Sequence, residues 1–275
     1  IALAKLGSRV GIVSRVGDDD LGRWMRTEVE RAGIDPAGVA VVAGQLTPLA
    51  LVSVDAAGRK RFAYYRFAGR CDPLATLRAS DVPDALFRRA RVFDIGEASL
   101  RDPGLRVEAL ALMRRARDLG LTVCYAPNYR ESAWAGGAAE AAATQRAAIG
   151  LADITLMNLE EARLIAGMLD GDAADIAGSI VGMGPAIVVV TDGAAGAAIA
   201  TPQQVAYIPP VPVRVVFDIG AGDAFHAGFL AAWRPGADSV WCARFATQTA
   251  ALKISRPPDP NSAPTRAEVL AAMGE

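Results

Sequence analysis

The sequence predicts an α/β fold in which a mostly parallel β-sheet is covered by helices on both faces. Three observations support this prediction: short apolar segments recur along the chain, helical patterns separate them, and glycines mark several helix ends. Strands that are apolar on both sides are typical of parallel sheets buried between two helical layers. With 275 residues, 52% of them hydrophobic, the chain is long enough for one large core and a small additional unit.

The predicted elements alternate from the N-terminus onwards. Residues 2–6 predict a short apolar helix that ends before Gly7, and residues 10–16 predict the first strand. Apolar residues at helical spacing then predict a helix over residues 21–32, which Gly33 ends. Further strands are predicted over residues 92–95, 122–126, 154–157 and 186–191, and further helices over residues 105–119 and 136–148.

One segment departs from this alternation. Residues 49–54 and 61–67 are rich in β-forming side chains and are joined by a turn-like sequence that ends in Gly58. Because no helix of useful length separates them, they predict a hairpin outside the main sheet. Alternate residues of a strand share a face, so Tyr64 and Arg66 point the same way and are placed to cover a polar ligand. An ordinary surface hairpin is the equal alternative.

Composition and charge narrow the class of partner. The formal net charge of −1 gives no basic surface for nucleic acid, which favours a small-molecule substrate. Cys71, Cys124 and Cys242 are far apart and lack metal-site spacing, so we interpret them as reduced thiols in a cytoplasmic protein. The sequence contains neither a run of about 18 apolar residues nor a signal-peptide pattern, so no membrane association is predicted.

The most informative segment is the junction near residue 220. An apolar strand over residues 215–217 is predicted to lead through Gly-Ala-Gly-Asp into a helix that packs through Phe225 and Phe229. Glycines let the backbone approach a ligand, and the N–H groups and dipole of the first helical turn attract an anion such as phosphate. Asp223 is then placed to deprotonate an attacking hydroxyl, although a helix-capping role is the alternative.

The same segment carries a family resemblance. Gly-Ala-Gly-Asp-Ala-Phe at residues 220–225, followed by Ala-Gly-Phe at 227–229, closely resembles the C-terminal signature of the ribokinase-like (PfkB) carbohydrate kinases. Other family-like segments follow in the right order, at residues 4–7, 16–22, 32–35, 158–161 (Asn-x-x-Glu) and 190–196.

This resemblance implies a three-layer α/β/α sandwich with a mostly parallel central sheet and a small β-sheet lid over the sugar. The main nucleotide-binding unit would comprise residues 1–40 and 71–275, and the lid segment residues 41–70. The family transfers the γ-phosphoryl group of ATP to a sugar hydroxyl, usually with Mg²⁺. Asp223 would be the base, and the amides of residues 220–223 would stabilise the transferring group, namely those of Gly220, Ala221, Gly222 and Asp223.

The resemblance also assigns the nucleotide side of the site. Asn158 and Glu161 would organise Mg²⁺ and the phosphates, with Glu161 acting through water, and Thr191, Gly193 and Gly196 would lie beside the triphosphate and adenosine. Independently of the family, Asn158 and Glu161 have the spacing of a helix capping box, and both interpretations can hold together. The loop over residues 191–196 is, on its own, typical of a tight turn between two strands, and its position between the other two motifs favours the nucleotide role.

Within the family, the sequence looks most like the 2-keto-3-deoxygluconate kinases. Tyr64, Arg66 and Arg130 match the residues with which those enzymes hold an acidic sugar, and an arginine fork suits a carboxylate. Fructokinases and other keto-sugar kinases share much of the pattern and are the alternative. The expected partner is therefore a sugar or sugar acid, and the lid sheets of the family often pair two subunits into a homodimer or larger homo-oligomer.

Several positions depart from the family pattern. Ala126 stands where an aspartate is common in the family. Phe217-Asp218 replaces the family residues near a monovalent-cation site, so the sequence does not decide whether such a cation binds. The family's first strand and its Gly-Gly-x-x-x-Asn sugar-binding turn are expected before Ile1. His226 lies one helical turn after Asp223, with a ligand contact and a packing role equally open. Asp259 is a candidate by position for a carboxylate expected near the C-terminal tail of this subgroup, although a plain loop residue is the favoured interpretation.

Two other classes remain as rivals. A binding protein that kept the fold and lost turnover is disfavoured by the intact motif at residues 220–223 and mildly favoured by Ala126. A dinucleotide-dependent oxidoreductase would place its Gly-rich turn after the first strand, and this chain has no such turn there.

Overall fold

The computed structural model describes residues 1–54, 60–65, 72–259 and 262–275. Its strands are β1 (Gly11–Gly17), β2 (Asp35–Val42), β3 (Leu49–Val54), β4 (Lys60–Tyr65), β5 (Val92–Gly96), β6 (Thr122–Ala126), β7 (Ile154–Asn158), β8 (Ile187–Thr191), β9 (Ala197–Ala200) and β10 (Val205–Ile208). Its α-helices are α1 (Ala2–Lys5), α2 (Asp20–Arg31), α3 (Asp84–Arg89), α4 (Pro103–Asp118), α5 (Gly137–Ile149), α6 (Leu159–Ala166), α7 (Ala173–Val181), α8 (Ala221–Ala232), α9 (Ser239–Ile254) and α10 (Arg266–Met273).

The central sheet has six strands in the order β10-β9-β8-β7-β6-β5. Strands β5 to β8 are parallel to one another, whereas β9 runs antiparallel to β8, and β10 antiparallel to β9. The mostly parallel sheet predicted from the sequence is therefore confirmed. Parallel strands β1 and β2 form a separate two-stranded sheet.

Helices cover both faces of the central sheet, as the continuous apolar strands require. Along β8, Val188 and Val190 pack into the core cluster that includes α4 to α7, while Val189 packs into the opposite cluster with α8 and α9. Successive strand residues point to opposite faces, so all three valines are buried only because both faces are covered. This arrangement confirms the predicted three-layer α/β/α sandwich.

Capping residues and glycines set the ends of the predicted helices. Asp19 caps α2 by accepting a hydrogen bond from the N–H of Gly22, and Asp102 caps α4 in the same way. Gly33 and Gly120 follow these two helices with φ values of +72° and +76°, which only glycine adopts easily. Both helices therefore begin and end as their sequences predict.

Asp19 also connects β1 and α2 to the segment that precedes the hairpin. Its carboxylate accepts hydrogen bonds from the N–H and hydroxyl of Thr47, at 2.7 Å each. The Thr47 hydroxyl in turn accepts from the N–H of Gly17 at 3.0 Å. The family-like segment at residues 16–22 therefore has a structural role in this fold.

One predicted strand is wrong. Residues 215–217 lie in an irregular segment, and Val215 and Val216 are 56% and 52% exposed. The N–H groups of Val216 and Phe217 donate to the carbonyl of Ile254 at the end of α9, at 2.8 and 3.0 Å. The backbone of this apolar segment is therefore satisfied by a helix terminus instead of a sheet.

The predicted hairpin is present as the antiparallel pair β3–β4, outside the central sheet. Leu51, Val52 and Tyr65 are each about half exposed, so the hairpin packs little apolar surface against the described part of the chain. Cys124 and Cys242 are unpaired and buried, and Cys71 lies outside the described residues. Within those residues, no helix combines the length and the apolar character that a membrane span needs.

Candidate functional site

Three of the predicted site residues lie at or shortly after the carboxyl ends of parallel strands. Asn158 ends β7, Thr191 ends β8, and these two residues are direct neighbours in the strand register. Arg130 follows the end of β6 by four residues. Open α/β sheets bind ligands outside the carboxyl ends of their strands, so this edge is the place where a site is expected.

Asn158 and Glu161 form the capping box that the sequence predicts. The Asn158 Oδ1 accepts from the N–H of Glu161 at 2.9 Å, and Glu161 Oε2 accepts from the N–H of Asn158 at 3.0 Å. The other oxygen of Glu161 accepts from the N–H of Tyr129 at 2.8 Å. Burial raises the pKa of Glu161 above its usual range, and these backbone donors only partly offset that effect.

A cavity of about 270 Å³ lies against this capping box. It is lined by Asn158 at the end of β7, by Glu160 and Glu161 from α6, and by Tyr129 and Arg130 from the segment after β6. The exposed Arg130 donates from Nη1 to the carbonyl of Tyr129 at 2.8 Å. The fold therefore brings the predicted site residue Arg130 to Asn158 and Glu161, which follow it by 28 and 31 positions in the sequence.

The turn between β8 and β9 is shaped by its glycines. Gly193 and Gly196 have φ values of +51° and +91°, and a Cβ on Gly196 would lie 2.3 Å from the carbonyl oxygen of Ile208. The Thr191 hydroxyl donates to the carbonyl of Met157 at 3.4 Å. Gly196 is thus required for the turn itself, which leaves the proposed nucleotide role of this loop to be tested separately.

The N-terminus of α8 is open to solvent. Gly220 caps the helix with a φ of +82° and offers no side chain, and both Gly222 and Asp223 are exposed. The only backbone hydrogen bonds that described residues donate from this turn are Ala221 N–H to Asp218 O and Ala224 N–H to Gly220 O. The amides of Gly222 and Asp223 consequently face outwards, beside the Asp223 carboxylate.

Space and charge at this helix start both suit an anion. A Cβ on Gly222 would meet no described atom within 4 Å, so the approach to its backbone is unobstructed. The Cε of Lys253 lies 4.0 Å from the position that a Cβ on Gly220 would take, and its Nζ lies 5.8 Å from the centre of the Phe217 ring. Lys253 was missed by sequence reasoning because it belongs to the last turn of α9, with no motif around it.

His226 contacts the central sheet. Its Nε2 lies 2.8 Å from Asp94 Oδ1 on β5 and 3.7 Å from Cys124 Sγ on β6. Burial alone lowers the pKa of the imidazole, but attraction to the Asp94 carboxylate, with a smaller contribution from Asp223, raises it above its usual value. Burial and Asp94 raise the pKa of the Cys124 thiol well above its usual value. The structure shows the contact of His226 with the sheet, and a contact of His226 with a ligand stays a prediction.

A buried charge network lies beyond the end of β5. Glu97 is wholly buried, forms an ion pair with Arg101 at 2.5 Å, and accepts a hydrogen bond from the Trp134 ring N–H. The hydroxyls of Tyr125 and Tyr129 are buried without a partner among the described residues. A glutamate directly after an apolar strand was the available signal for Glu97, which sequence reasoning missed.

Two predicted sugar contacts cannot be placed. Arg66 lies outside the described residues, and Tyr64 belongs to β4, where its backbone pairs with Ala50 but its side chain is not described. Asp259 is an exposed loop residue, as expected, whose carbonyl accepts from the N–H and hydroxyl of Ser262. Ala126, at the end of β6, offers no side-chain group to replace the aspartate common in the family.

Comparison with known proteins identifies the family. Residues 1–266 match the pfkB family carbohydrate kinases. The chain is 30% identical to fructokinase-1 of Zea mays over 278 residues, which cover 98% of this chain and 84% of the maize protein.

Solved structures agree with this match. A fructokinase from Xylella fastidiosa with bound ATP superposes with a TM-score of 0.88 at 26% identity, covering 100% of this chain and 88% of that one. A fructokinase from Vibrio cholerae O395 in its fructose-, ADP- and calcium-bound form gives 0.84 at 25% identity, covering 98% and 87% of the two chains. A match over nearly the whole chain, together with the open helix start at Asp223, shows that the chain belongs to the pfkB family of carbohydrate kinases.

Proposed function

We propose that this carbohydrate kinase transfers the γ-phosphoryl group of ATP to a hydroxyl of a keto-sugar, with fructose as the first candidate. The observation that supports the reaction is the open N-terminus of α8, where exposed backbone amides and the exposed Asp223 carboxylate lie side by side. A carboxylate among anion-attracting donors is useful where a hydroxyl must lose its proton beside a phosphate.

In this proposal Asp223 is the general base. It takes the proton from the sugar hydroxyl while the oxygen of that hydroxyl attacks the γ-phosphorus and the bond to the ADP oxygen breaks. The amides of Gly220, Ala221, Gly222 and Asp223 stabilise the charge on the transferring group, which requires no covalent intermediate with the protein. Lys253, beside Gly220, would add a positive charge to the same region.

The residues at the ends of β7 and β8 fit a nucleotide with Mg²⁺, provided that the ion is held through water. Each oxygen of Glu161 already accepts a backbone N–H, and a carboxylate retains acceptor capacity for a bridging water. When bound, the ion neutralises phosphate charge. Asn158 and Glu161 would orient its waters, and Thr191, Gly193 and Gly196 would lie beside the nucleotide. A monovalent cation near Phe217-Asp218 stays a prediction from the resemblance.

Fructose is favoured over 2-keto-3-deoxygluconate by the similarity to fructokinases. One observation supports a sugar acid as the second candidate: Arg130 lines the cavity beside Asn158 and could hold a carboxylate. The third residue expected at the acidic group, Arg66, lies outside the described residues. The two substrates differ in charge, so a direct competition assay separates them.

We further propose that residues 41–70 act as a lid over the sugar and that two lids pair in a homo-oligomer. The half-exposed Leu51 and the 39% exposed Leu49, which share one face of β3, support pairing, because burying them against a partner would be favourable.

The decisive experiment is an ADP-release assay across keto-sugars and sugar acids, comparing the chain with its Asp223→Asn variant. We expect phosphorylation of fructose, and a kcat lowered roughly 10²–10⁴-fold by the substitution, since this is the usual contribution of a general base. Asp170→Asn, at an exposed position after α6, is the matched control and should keep full activity. An unchanged kcat in Asp223→Asn would reject the base, and ATP binding without turnover of any sugar would favour a binding protein.

A further inference from the structure

Three potential metal ligands meet beneath the proposed site. The carboxylate of Asp94, the thiol of Cys124 and the imidazole of His226 each offer one ligand atom, and these atoms all lie within 4.8 Å of one another. They come from three different elements, β5, β6 and α8. Asp94 and Cys124 are direct neighbours in the strand register, and α8 places His226 against both.

Their spacing is close to that of a tetrahedral zinc site. Bond lengths of about 2.0–2.3 Å at tetrahedral angles separate neighbouring ligand atoms by roughly 3.3–3.8 Å. The distance from Cys124 Sγ to His226 Nε2 is 3.7 Å, which requires almost no change. The distance from Asp94 Oδ1 to His226 Nε2 is 2.8 Å, so the carboxylate must withdraw by about half an ångström.

The burial of the three groups allows this adjustment. The Asp94 side chain is 40% exposed and the His226 side chain 17% exposed, whereas Cys124 is fully buried. β5 is at the edge of the described six-stranded sheet, so the carboxylate can turn towards solvent without disturbing the core. The same exposed side leaves room for a water molecule as a fourth ligand.

The donor set selects the class of ion. Thiolate and imidazole prefer borderline and soft metals such as Zn²⁺, whereas Mg²⁺ prefers oxygen ligands. The cluster therefore differs in chemistry from the Asn158–Glu161 region that would organise Mg²⁺. It also does not depend on the proposed reaction, because none of its three groups has a role in that reaction.

We propose that Asp94, Cys124 and His226 bind one Zn²⁺ ion, with water completing the coordination. Binding replaces the Asp94–His226 hydrogen bond by two metal bonds and releases the thiol proton of Cys124 to solvent. The proton on His226 Nε2 also leaves that nitrogen, moving to Nδ1 from the neutral ring or to solvent from the imidazolium. The ion connects β5 and β6 to the first half of α8, one helical turn from Asp223.

Metal binding can be measured on the whole chain after removal of bound metals with a chelator. We expect one Zn²⁺ per chain in competition with a chromogenic chelator. Co²⁺ at the same site should give a thiolate-to-cobalt charge-transfer band. Cys124→Ser should abolish this band. His226→Gln should weaken Zn²⁺ binding at least ~10-fold, because even the loss of a residue that only orients a metal ligand lowers metal affinity by about that factor.

The other two cysteines provide matched controls. Cys71→Ser and Cys242→Ser each remove a thiol that is not one of the three proposed ligands and should keep both the stoichiometry and the band. The proposal is overturned by the absence of stoichiometric binding, by a band that persists in Cys124→Ser, or by a band lost in either control. If Cys124→Ser does not fold, Asp94→Asn, at the exposed ligand, tests the site instead and should lower the Zn²⁺ affinity. An unchanged Zn²⁺ affinity in a folded Asp94→Asn chain would also exclude the site.

Discussion

At the scale of single residues, Lys253 illustrates how a site acquires charge from a distant part of the chain. It is 30 positions from Asp223, yet its Cε approaches Gly220 at the start of α8. The ring of Phe217 lies near its ammonium group, a contact that favours a cation over an aromatic face. A lysine held there would attract the phosphates of a nucleotide.

We therefore expect Lys253→Met to raise the KM for ATP about 10-fold, the lower end of what a lost hydrogen bond to a charged group costs. The KM for the sugar should change much less. Initial-rate measurements with each substrate varied in turn provide the test. Lys5→Met is the control, because Lys5 contacts the carbonyl of Ala263 at 3.4 Å. An equal KM for ATP in both variants would remove Lys253 from the site.

At the scale of elements, the close contact between α8 and α9 holds the candidate base in position. Gly228 is buried at this interface, and a Cβ there would lie 2.8 Å from Ala246 Cα and 2.8 Å from Thr249 Oγ1. Phe229, on the same helix, is fully buried, which stabilises the fold by about 1.5–3 kcal/mol. The glycine lets two helix backbones approach, and the aromatic ring fills the core beside them.

Gly228→Ala should destabilise the protein by about 1–3 kcal/mol, because the added methyl group overpacks a helix interface. Gly178 on α7 provides the opposite case, since the only described atom near its Cβ position is Val205 Cγ2 at 3.9 Å. Gly178→Ala should stabilise by about 0.5–1 kcal/mol through helix propensity. Urea unfolding measures both effects, and equal free-energy changes in the two variants would contradict this explanation.

The C-terminal helix α10 has a pH-dependent cap. Hydrogen bonds from the backbone and hydroxyl of Thr265, together with Arg256 at 2.7 Å, lower the pKa of Glu268 to about 2. A carboxylate with a depressed pKa stabilises the folded state at pH values above its unfolded pKa, near 4.5, and this contribution is lost as the pH falls towards 2.

Glu268→Gln should therefore lower the urea midpoint at pH 7, and its difference from the parent protein should shrink as the pH falls from about 4.5 towards 2. Glu30→Gln on α2 is the control, because Glu30 belongs to an exposed ion pair with Arg26 at 3.6 Å and should matter little. A midpoint difference for Glu268→Gln that is the same at pH 7 and pH 3 would contradict the role of the charge.

At the scale of the whole molecule, the hairpin β3–β4 and the central sheet are separate sheets. If the hairpin closes over the sugar, fructose with a non-hydrolysable ATP analogue should slow amide exchange over Leu49–Val54. The amides of α7, which lies on the outer layer, should exchange at an unchanged rate. Hydrogen-exchange mass spectrometry checks this, and unaltered exchange in the hairpin under conditions of ligand saturation would argue against a lid.

Local sequence signals were sufficient for much of this protein. Apolar periodicity, capping residues and helix-ending glycines predicted α2, α4 and the parallel strands, because each signal acts within a few residues of the chain. The family-like segments likewise indicated Asp223, and the spacing of Asn158 and Glu161 predicted their capping box. The same reasoning failed at residues 215–217, where an apolar composition resembled a strand.

Only the tertiary structure decided which distant groups come together. The hydrogen bonds from Val216 and Phe217 to the end of α9, the approach of Lys253 to Gly220, and the meeting of Asp94 and Cys124 with His226 all join elements far apart in sequence. Such contacts depend on how layers of helices and strands pack. Packing is driven by the burial of apolar surface, which is non-directional and does not specify which polar groups come into contact. The sequence by itself therefore determined most of the elements and the reaction class, whereas the fold determined which distant charged groups, such as Lys253, approach the site.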